Sequence, residues 1–364
     1  MSTAWIRLVA LGVLVLLHLP ANLAFAGEPS PDCGNPSDIH DQWVIGSPEQ
    51  QGFDPAPLCA MGKGVLDGKL ANVDSIIIVR HGALVYERYF EPSDSVILDA
   101  AHKHPGYSMT KSVVSLLVGI ALDRGLIKDL DAPIFSYFPE YADLRTPQRD
   151  RITLRNLLTM SSGLHQWMMS NDHDPYRHVL EPAMVRDPGT SFEYNDGGTE
   201  LIGAILQKVS GKPVDVFARE DIFAPLGIND IDWAGRLSNG VARSSTGLTM
   251  SPRDWAKIGQ LVLNKGTWEG KQIVPASWIE QSTTEQIKAR KSHSYGFQWW
   301  LGRSLHEGRS VEWTAAFGIN SQKTIIIPEL DTVVVFNASL ESAKMVAPEI
   351  ELLDKYILPA MVSH

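Results

Sequence analysis

Ser108-Met109-Thr110-Lys111 sets a hydroxyl and an amine three residues apart. That spacing puts both side chains on one face of a helix, one turn from each other. A serine hydroxyl is a poor nucleophile until a neighbour takes its proton. A lysine takes it only when burial or nearby charge lowers its pKa enough to leave the amine partly neutral. The run that follows, Thr110 to Arg124, is apolar nearly all round, the mark of a buried helix that would desolvate Lys111. The helix N-terminus turns partial positive charge toward Ser108, where an oxyanion would form. Pro105-Gly106-Tyr107 breaks the chain just before, so the serine stands at a turn-to-helix junction. A Ser-x-x-Lys match arises about once by chance in a chain of this composition. The alternative is a solvated lysine at the start of a core helix.

Two later stretches can serve the same chemistry. Tyr194-Asn195-Asp196 precedes Gly197-Gly198 and a helical run. A tyrosine hydroxyl beside a lysine ammonium exchanges protons readily with a serine or a leaving group. The plain alternative is a loop tyrosine packed on the helices. Ala316-Phe317-Gly318 lies at the edge of the strand expected over 309–315, where a glycine lets a substrate approach the backbone. The N–H of Ile319 could pair with that of Ser108 as an oxyanion hole. His102, His104, His165 and His173 flank these stretches without H-E-x-x-H or cysteine-cluster spacing; they read as surface or supporting histidines, and no metal is expected. No phosphate-binding glycine loop and no G-x-S-x-G elbow is present, which argues against nucleotide binding and an α/β-hydrolase.

The elements that must position these residues can be sketched. Ser75 to Arg80 and Leu84 to Phe90 flank the turn His81-Gly82-Ala83 and read as a hairpin. Thr153 caps a short helix, another spans Thr199 to Val209, and Ser251-Pro252-Arg253-Asp254 is a strong start for a third running to about Leu263. Strands are expected over Tyr295 to Leu301, Arg309 to Ala315, Lys323 to Ile327 and Thr332 to Ala338, then a helix over Glu341 to Tyr356. Trp299 and Trp300 read as strand packing. The expected fold class is α/β (α+β): an antiparallel sheet flanked by helices, built from both chain ends, with an inserted all-helical domain.

The formal net charge of −10 over 364 residues disfavours nucleic acid and anionic membranes as partners. Arg7, the apolar Leu8 to Leu19 and Ala24-Phe25-Ala26 form a signal-peptide pattern over residues 1–26; an uncleaved anchor is the alternative. Cleavage would leave an exported protein, periplasmic or secreted, with no stable membrane insertion. Residues 27–60 read as an extended arm. The only cysteines, Cys33 and Cys59, lie in it; a disulfide between them is permissible after export, and two free thiols are the other reading.

In order and spacing, these stretches resemble the class C β-lactamase-like serine hydrolases, a group with D-Ala-D-Ala carboxypeptidases, esterases and 6-aminohexanoate-dimer hydrolases. The resemblance runs from about Ser75 to the end. It rests on Ser-x-x-Lys, then a Tyr-x-Asn variant at Tyr194, then a variant Lys-Thr-Gly strand at Ala316. The stretches Leu157 to Leu164, Pro188-Gly189-Thr190 and Tyr295 to Trp300 support it. It implies a hydrolase domain over 61–364, with a helical subdomain over roughly 105–290 and the site between the two parts. It also implies acyl transfer to Ser108, with Lys111 and Tyr194 moving protons and no cofactor. The substrate is a small-molecule or short-peptide ester or amide. The alternative is a non-hydrolytic penicillin-binding or sensor protein on the same scaffold. Two departures stand out. The second motif ends in Asp196 and the third begins with Ala316, where relatives often carry a cation that holds a substrate carboxylate. Asp196, Ala316, Phe317 and Gly318 are therefore the expected substrate-binding residues. The pocket is expected to favour neutral or cationic substrates. An acid near Lys111 would raise the lysine pKa and move the base role toward Tyr194, unless Asp196 points elsewhere.

Overall fold

The computed structural model describes residues 33–70, 73–91, 97–166, 173–339 and 349–362. The signal-peptide pattern, the start of the arm and residues 341–348 of the expected last helix lie outside the described residues.

β-branched runs alternate side to side and so need two apolar layers to bury them. Nine strands meet that need in one sheet: β1 (Val44–Ile45), β2 (Ser75–Arg80), β3 (Ala83–Tyr89), β4 (Ile287–Arg290), β5 (His293–Tyr295), β6 (Trp300–His306), β7 (Arg309–Gly318), β8 (Gln322–Ile327) and β9 (Thr332–Asn337). Their spatial order is β1-β3-β2-β9-β8-β7-β6-β5-β4. The first β3–β1 pair is parallel and the others are antiparallel. β2 from the start of the chain pairs with β9 from its end, Ile77 opposite Val335. The sheet is thus built from both chain ends, as expected.

The two faces bury different sets. Ile77, Val79, Ile326, Val333 and Val335 face one core, and Ile76, Ile78, Ile325, Ile327, Val334 and Phe336 face the other. Each such side chain contributes about 1.5–3 kcal/mol when fully buried. Helix α1 (Pro55–Leu66) and the C-terminal segment Leu352–Met361 cover the second face. α4 (Pro252–Leu263) lies on the first, against β2, β8 and β9. Beyond it, α2 (Thr110–Asp123) and α3 (Asp196–Ser210) form the heart of the helical region. Twelve residues of α2, from Thr110 to Ala121, are buried, which accounts for its apolar sequence.

Three expectations differ from what folds. Residues 33–60 are not an extended arm: Trp43 is buried, Val44–Ile45 joins the sheet, and α1 starts at Pro55 with Asp54 as its cap. The run Tyr295 to Leu301 is not one strand. Gln298 adopts a left-handed φ of 66° and reverses the chain between β5 and β6, placing Trp299 in the first core and Trp300 in a separate aromatic cluster. β7 continues through Gly318, so Ala316-Phe317-Gly318 belongs to the ladder. Cys33 and Cys59 are joined by a disulfide, Cα to Cα 4.5 Å.

Candidate active site

Ser108 sits in a single 3₁₀ turn, Tyr107–Met109, that runs into α2. Tyr107 holds a left-handed φ of 47°, a conformation costing about 1–3 kcal/mol for a bulky residue. The surroundings fix it. Thr110 Oγ1 donates to the Tyr107 carbonyl at 2.7 Å, and the Gly106 N–H donates to the Leu248 carbonyl at 2.8 Å. The expected turn-to-helix junction is therefore a strained corner tied down on both sides.

Lys111, one turn on, is 1% exposed. Its ammonium nitrogen lies 3.0 Å from Ser108 Oγ, 2.7 Å from the Ser245 carbonyl oxygen and 2.6 Å from Asp196 Oδ1. The last contact is an ion pair without good hydrogen-bond angles. The ring of Tyr194 lies 4.9 Å from the same nitrogen. An ammonium has three protons, and these three oxygens lie within 3.0 Å of it, with the Tyr194 hydroxyl a further partner. Burial alone pushes the Lys111 pKa down, but the charges of Tyr194 and Asp196 outweigh it and hold the amine above its ordinary value. Of the two expectations for Asp196, the first applies: it faces Lys111.

Asn195 explains how Tyr194 and Asp196 come to flank one lysine. Its side-chain oxygen caps α3 by accepting from the Gly198 N–H at 3.0 Å. Its amide group donates to the Leu164 and His165 carbonyls, each at 3.0 Å. The helix begins at Asp196, earlier than expected, so the acid sits in the first turn, a position the helix dipole favours.

Tyr194 stacks on Trp300, centroids 6.0 Å apart, and Trp300 stacks on Phe317 at 5.7 Å. Phe192 and Tyr295 pack edge-on against Trp300. This cluster joins the helical region to β6 and β7. Ala316 does not line it: its side chain is 2% exposed and packs in the first core, because period-2 alternation sends it to the opposite face from Phe317. The end of β7 approaches the nucleophile turn closely. A Cβ on Gly318 would lie 2.3 Å from the Gly106 carbonyl oxygen, so only glycine allows this approach. Ile319 follows, 59% exposed.

Sequence reasoning missed Ser245, Glu200 and Gln298. Glu200 accepts from the N–H groups of Ser244 and Ser245. Gln298 links three elements: its carbonyl accepts from Ser112 Oγ on α2, its amide group donates to the Leu157 and Leu158 carbonyls, and its Oε1 accepts from Thr199 on α3. A glutamate inside the apolar run of α3 was a readable signal; the Ser245 carbonyl had none.

The profile of the Beta-lactamase family matches residues 68–354. Among curated proteins, the chain is 23% identical over 296 residues to the 6-aminohexanoate-dimer hydrolase of Paenarthrobacter ureafaciens, covering 72% of this chain and 71% of that one. It is 25% identical over 206 residues to the esterase EstB of Burkholderia gladioli, covering 49% and 52%. Among solved structures it is similar to an octameric penicillin-binding protein homologue from Pyrococcus abyssi, with a TM-score of 0.62, 21% identity and coverage of 78% and 73%.

Proposed function

The chain belongs to the Beta-lactamase family and is a serine hydrolase, and from that premise we propose that it cleaves an ester or linear amide through an acyl-enzyme on Ser108. The observation that carries this reading is the trio around one buried nitrogen: Ser108, Asp196 and Ser245 about Lys111. Lys111 works as a fixed ammonium, since its pKa is raised. Tyr194 is then the group that takes the Ser108 proton as Oγ bonds to the substrate carbonyl carbon. The ammonium stabilises the negative charge as it passes between the two oxygens. The tetrahedral oxyanion is held by the N–H groups of Ser108 and Ile319; the approach of Gly318 to Gly106 supports this pairing. Collapse breaks the bond to the leaving group, which receives the proton from Tyr194. Water then attacks the acyl carbon and gives its proton to Tyr194; as the bond from Ser108 Oγ to the acyl carbon breaks, Tyr194 passes that proton to Oγ, which restores both residues.

The relatives named 6-aminohexanoate-dimer hydrolase and esterase EstB support hydrolysis of both bond types. Asp196 neutralises Lys111, so the substrate is neutral or cationic at the reacting end. Phe317 and the Trp300 stack supply an apolar wall. Export to the periplasm or medium is part of the proposal, supported by the Leu8 to Leu19 and Ala24-Phe25-Ala26 pattern and by the Cys33–Cys59 disulfide, which suits an oxidising compartment.

The test is labelling with a fluorophosphonate probe and hydrolysis of a chromogenic short-chain ester. Wild-type protein is expected to be labelled at Ser108 and to turn over; Ser108→Ala is expected to do neither. Labelling at another serine overturns the assignment, and a burst without turnover identifies a sensor.

A further inference from the structure

Glu200 is 2% exposed on α3, among Leu201, Ile202 and Ile205. A carboxylate so placed is costly unless its lone pairs are used. Here they are. Oε2 accepts from the Ser244 N–H at 2.7 Å, and Oε1 accepts from the Ser245 N–H at 3.1 Å and from Ser245 Oγ at 2.5 Å. Arg243 Nε lies 3.8 Å away. The same Ser245 turns its carbonyl to Lys111 at 2.7 Å. Just beyond, the Leu248 N–H donates to Thr110 Oγ1 and the Leu248 carbonyl accepts from Gly106. Residues 243–248 thus form a strap from α3 to the nucleophile turn, with Glu200 as its anchor. Contact is close along it: a Cβ on Gly203, one turn after Glu200, would lie 1.7 Å from Ser244 Oγ.

Resting on the serine-hydrolase reading above, we propose that Glu200 is a positioning residue that fixes the Ser245 carbonyl and so the place and protonation of Lys111. Asp196 and Glu200 are four apart on α3 and share a face. One acid meets the ammonium directly; the other sets the neutral oxygen beside it. Helix α3 thereby controls two of the acceptors around Lys111, beside Ser108 and Tyr194. A buried glutamate used only for packing would not place two of its three hydrogen bonds on the residue that carries the lysine's carbonyl ligand and the third on its neighbour. The Arg243 guanidinium also faces this carboxylate, and burial, helped by the negative charge of Glu200, raises the Tyr176 pKa.

The experiment is the second-order rate of fluorophosphonate labelling at Ser108, measured against pH for the full mature chain. The variants are Glu200→Gln, which keeps the shape but replaces one acceptor with a donor, and Ser245→Ala, which keeps the carbonyl but removes one bond to Glu200. Glu200→Gln is expected to slow labelling by about 10- to 100-fold, the cost of misplacing a reacting group by about 1 Å. Its high-pH limb is expected to move to lower pH, because a less well held ammonium gives up its proton sooner. Ester hydrolysis is expected to lose kcat with little change in KM. Ser245→Ala is expected to move both rate and limb the same way by a smaller amount. Folded Glu200→Gln with the wild-type rate and pH profile overturns the proposal. If Glu200→Gln does not fold, an unchanged profile in Ser245→Ala overturns it instead. Wild-type protein that is not labelled at Ser108 at all overturns the serine-hydrolase reading, a different and distinguishable failure.

Discussion

Lys111 Nζ and Asp196 Oδ1 stand 2.6 Å apart, although the lysine is 2% and the aspartate 40% exposed on their side chains. The pair is therefore half in and half out of solvent. Two unit charges 4 Å apart interact by about 4 kcal/mol at an effective dielectric near 20, and solvent at Asp196 screens part of that. Together with Tyr194, what survives holds the Lys111 pKa above its ordinary value against its burial. Asp196→Asn removes the carboxylate that raises the lysine pKa. The high-pH limb of kcat/KM is expected to fall by about one pH unit or more. The variant should also improve on a carboxylate-bearing ester relative to its methyl ester, since Lys111 is left with an unbalanced positive charge. An unmoved limb with an unmoved ratio contradicts the ion-pair reading.

Tyr194→Phe keeps the ring that stacks on Trp300 and removes only the hydroxyl. A loss of about 10²- to 10⁴-fold in kcat is expected if Tyr194 moves protons, with unchanged circular dichroism and thermal midpoint. Combined with Lys111→Ala, the loss should be far less than the product of the single losses, because residues in one relay are non-additive. Multiplicative losses would separate the two residues into independent roles.

Gly318→Ala is expected to cost far more activity than stability. The added methyl would meet the Gly106 carbonyl oxygen at 2.3 Å, and backbone cannot swing aside as a side chain can. Overpacking costs about 1–3 kcal/mol, but the displacement falls between β7 and the nucleophile turn. A drop in kcat of about 100-fold is expected. Steady-state kinetics beside urea unfolding checks this; a wild-type kcat would show that the close approach has no catalytic weight.

His104 and Asp74 form a buried pair, Nδ1 to Oδ2 3.7 Å, four residues before the nucleophile. Burial pushes Asp74 up to about 7 and His104 down to about 4. The signs oppose. The raised Asp74 stabilises the fold fully below its ordinary 3.8, and that contribution is lost as pH rises through about 7. The lowered His104 stabilises it above 6.5 and is lost as pH falls through about 4. Asp74→Asn should remove only the first effect, so its thermal midpoint relative to wild type should rise between pH 4 and 8. Midpoint curves that stay parallel over this range would rule out a buried, titrating Asp74.

The Cys33–Cys59 bridge closes a loop with a sequence separation of 26. Replacing both cysteines with serine should cost about 3 kcal/mol of stability and leave kcat unchanged, since neither residue nears Lys111. Intact mass of protein recovered from an exporting host tests the compartment: a chain starting near Gly27 with two thiols unreactive until reduction is expected. An uncut N-terminus or free thiols would refute the corresponding half.

Local patterns were read correctly where a local cause decides structure. The β2–β3 hairpin, the all-apolar α2 and the Ser251 cap with Pro252 at the first helical position are set by neighbours within a few residues. The Tyr295 to Leu301 run was misread because five apolar residues in seven look like a strand. Its reversal at Gln298 depends on bonds to Leu157, Leu158 and Thr199, far away in the chain. The segment before residue 60 was misread as an arm because its polar composition hides two anchors, Trp43 and the short β1.

The sequence by itself determined which serine stands at a turn-to-helix junction and which lysine lies one turn on, because an i, i+3 spacing on a helix is geometry that residue order fixes. It also determined that both chain ends would share a sheet. Only the tertiary structure decided the state of Lys111. Its other oxygen partners include Asp196 and the Ser245 carbonyl, 134 residues distant. Whether an acid faces or avoids a lysine depends on how two helices pack. A backbone carbonyl is present at every residue and so carries no mark in the sequence. The balance of burial against charge that makes this lysine an ammonium exists only once α2, α3 and the strap over 243–248 are brought together.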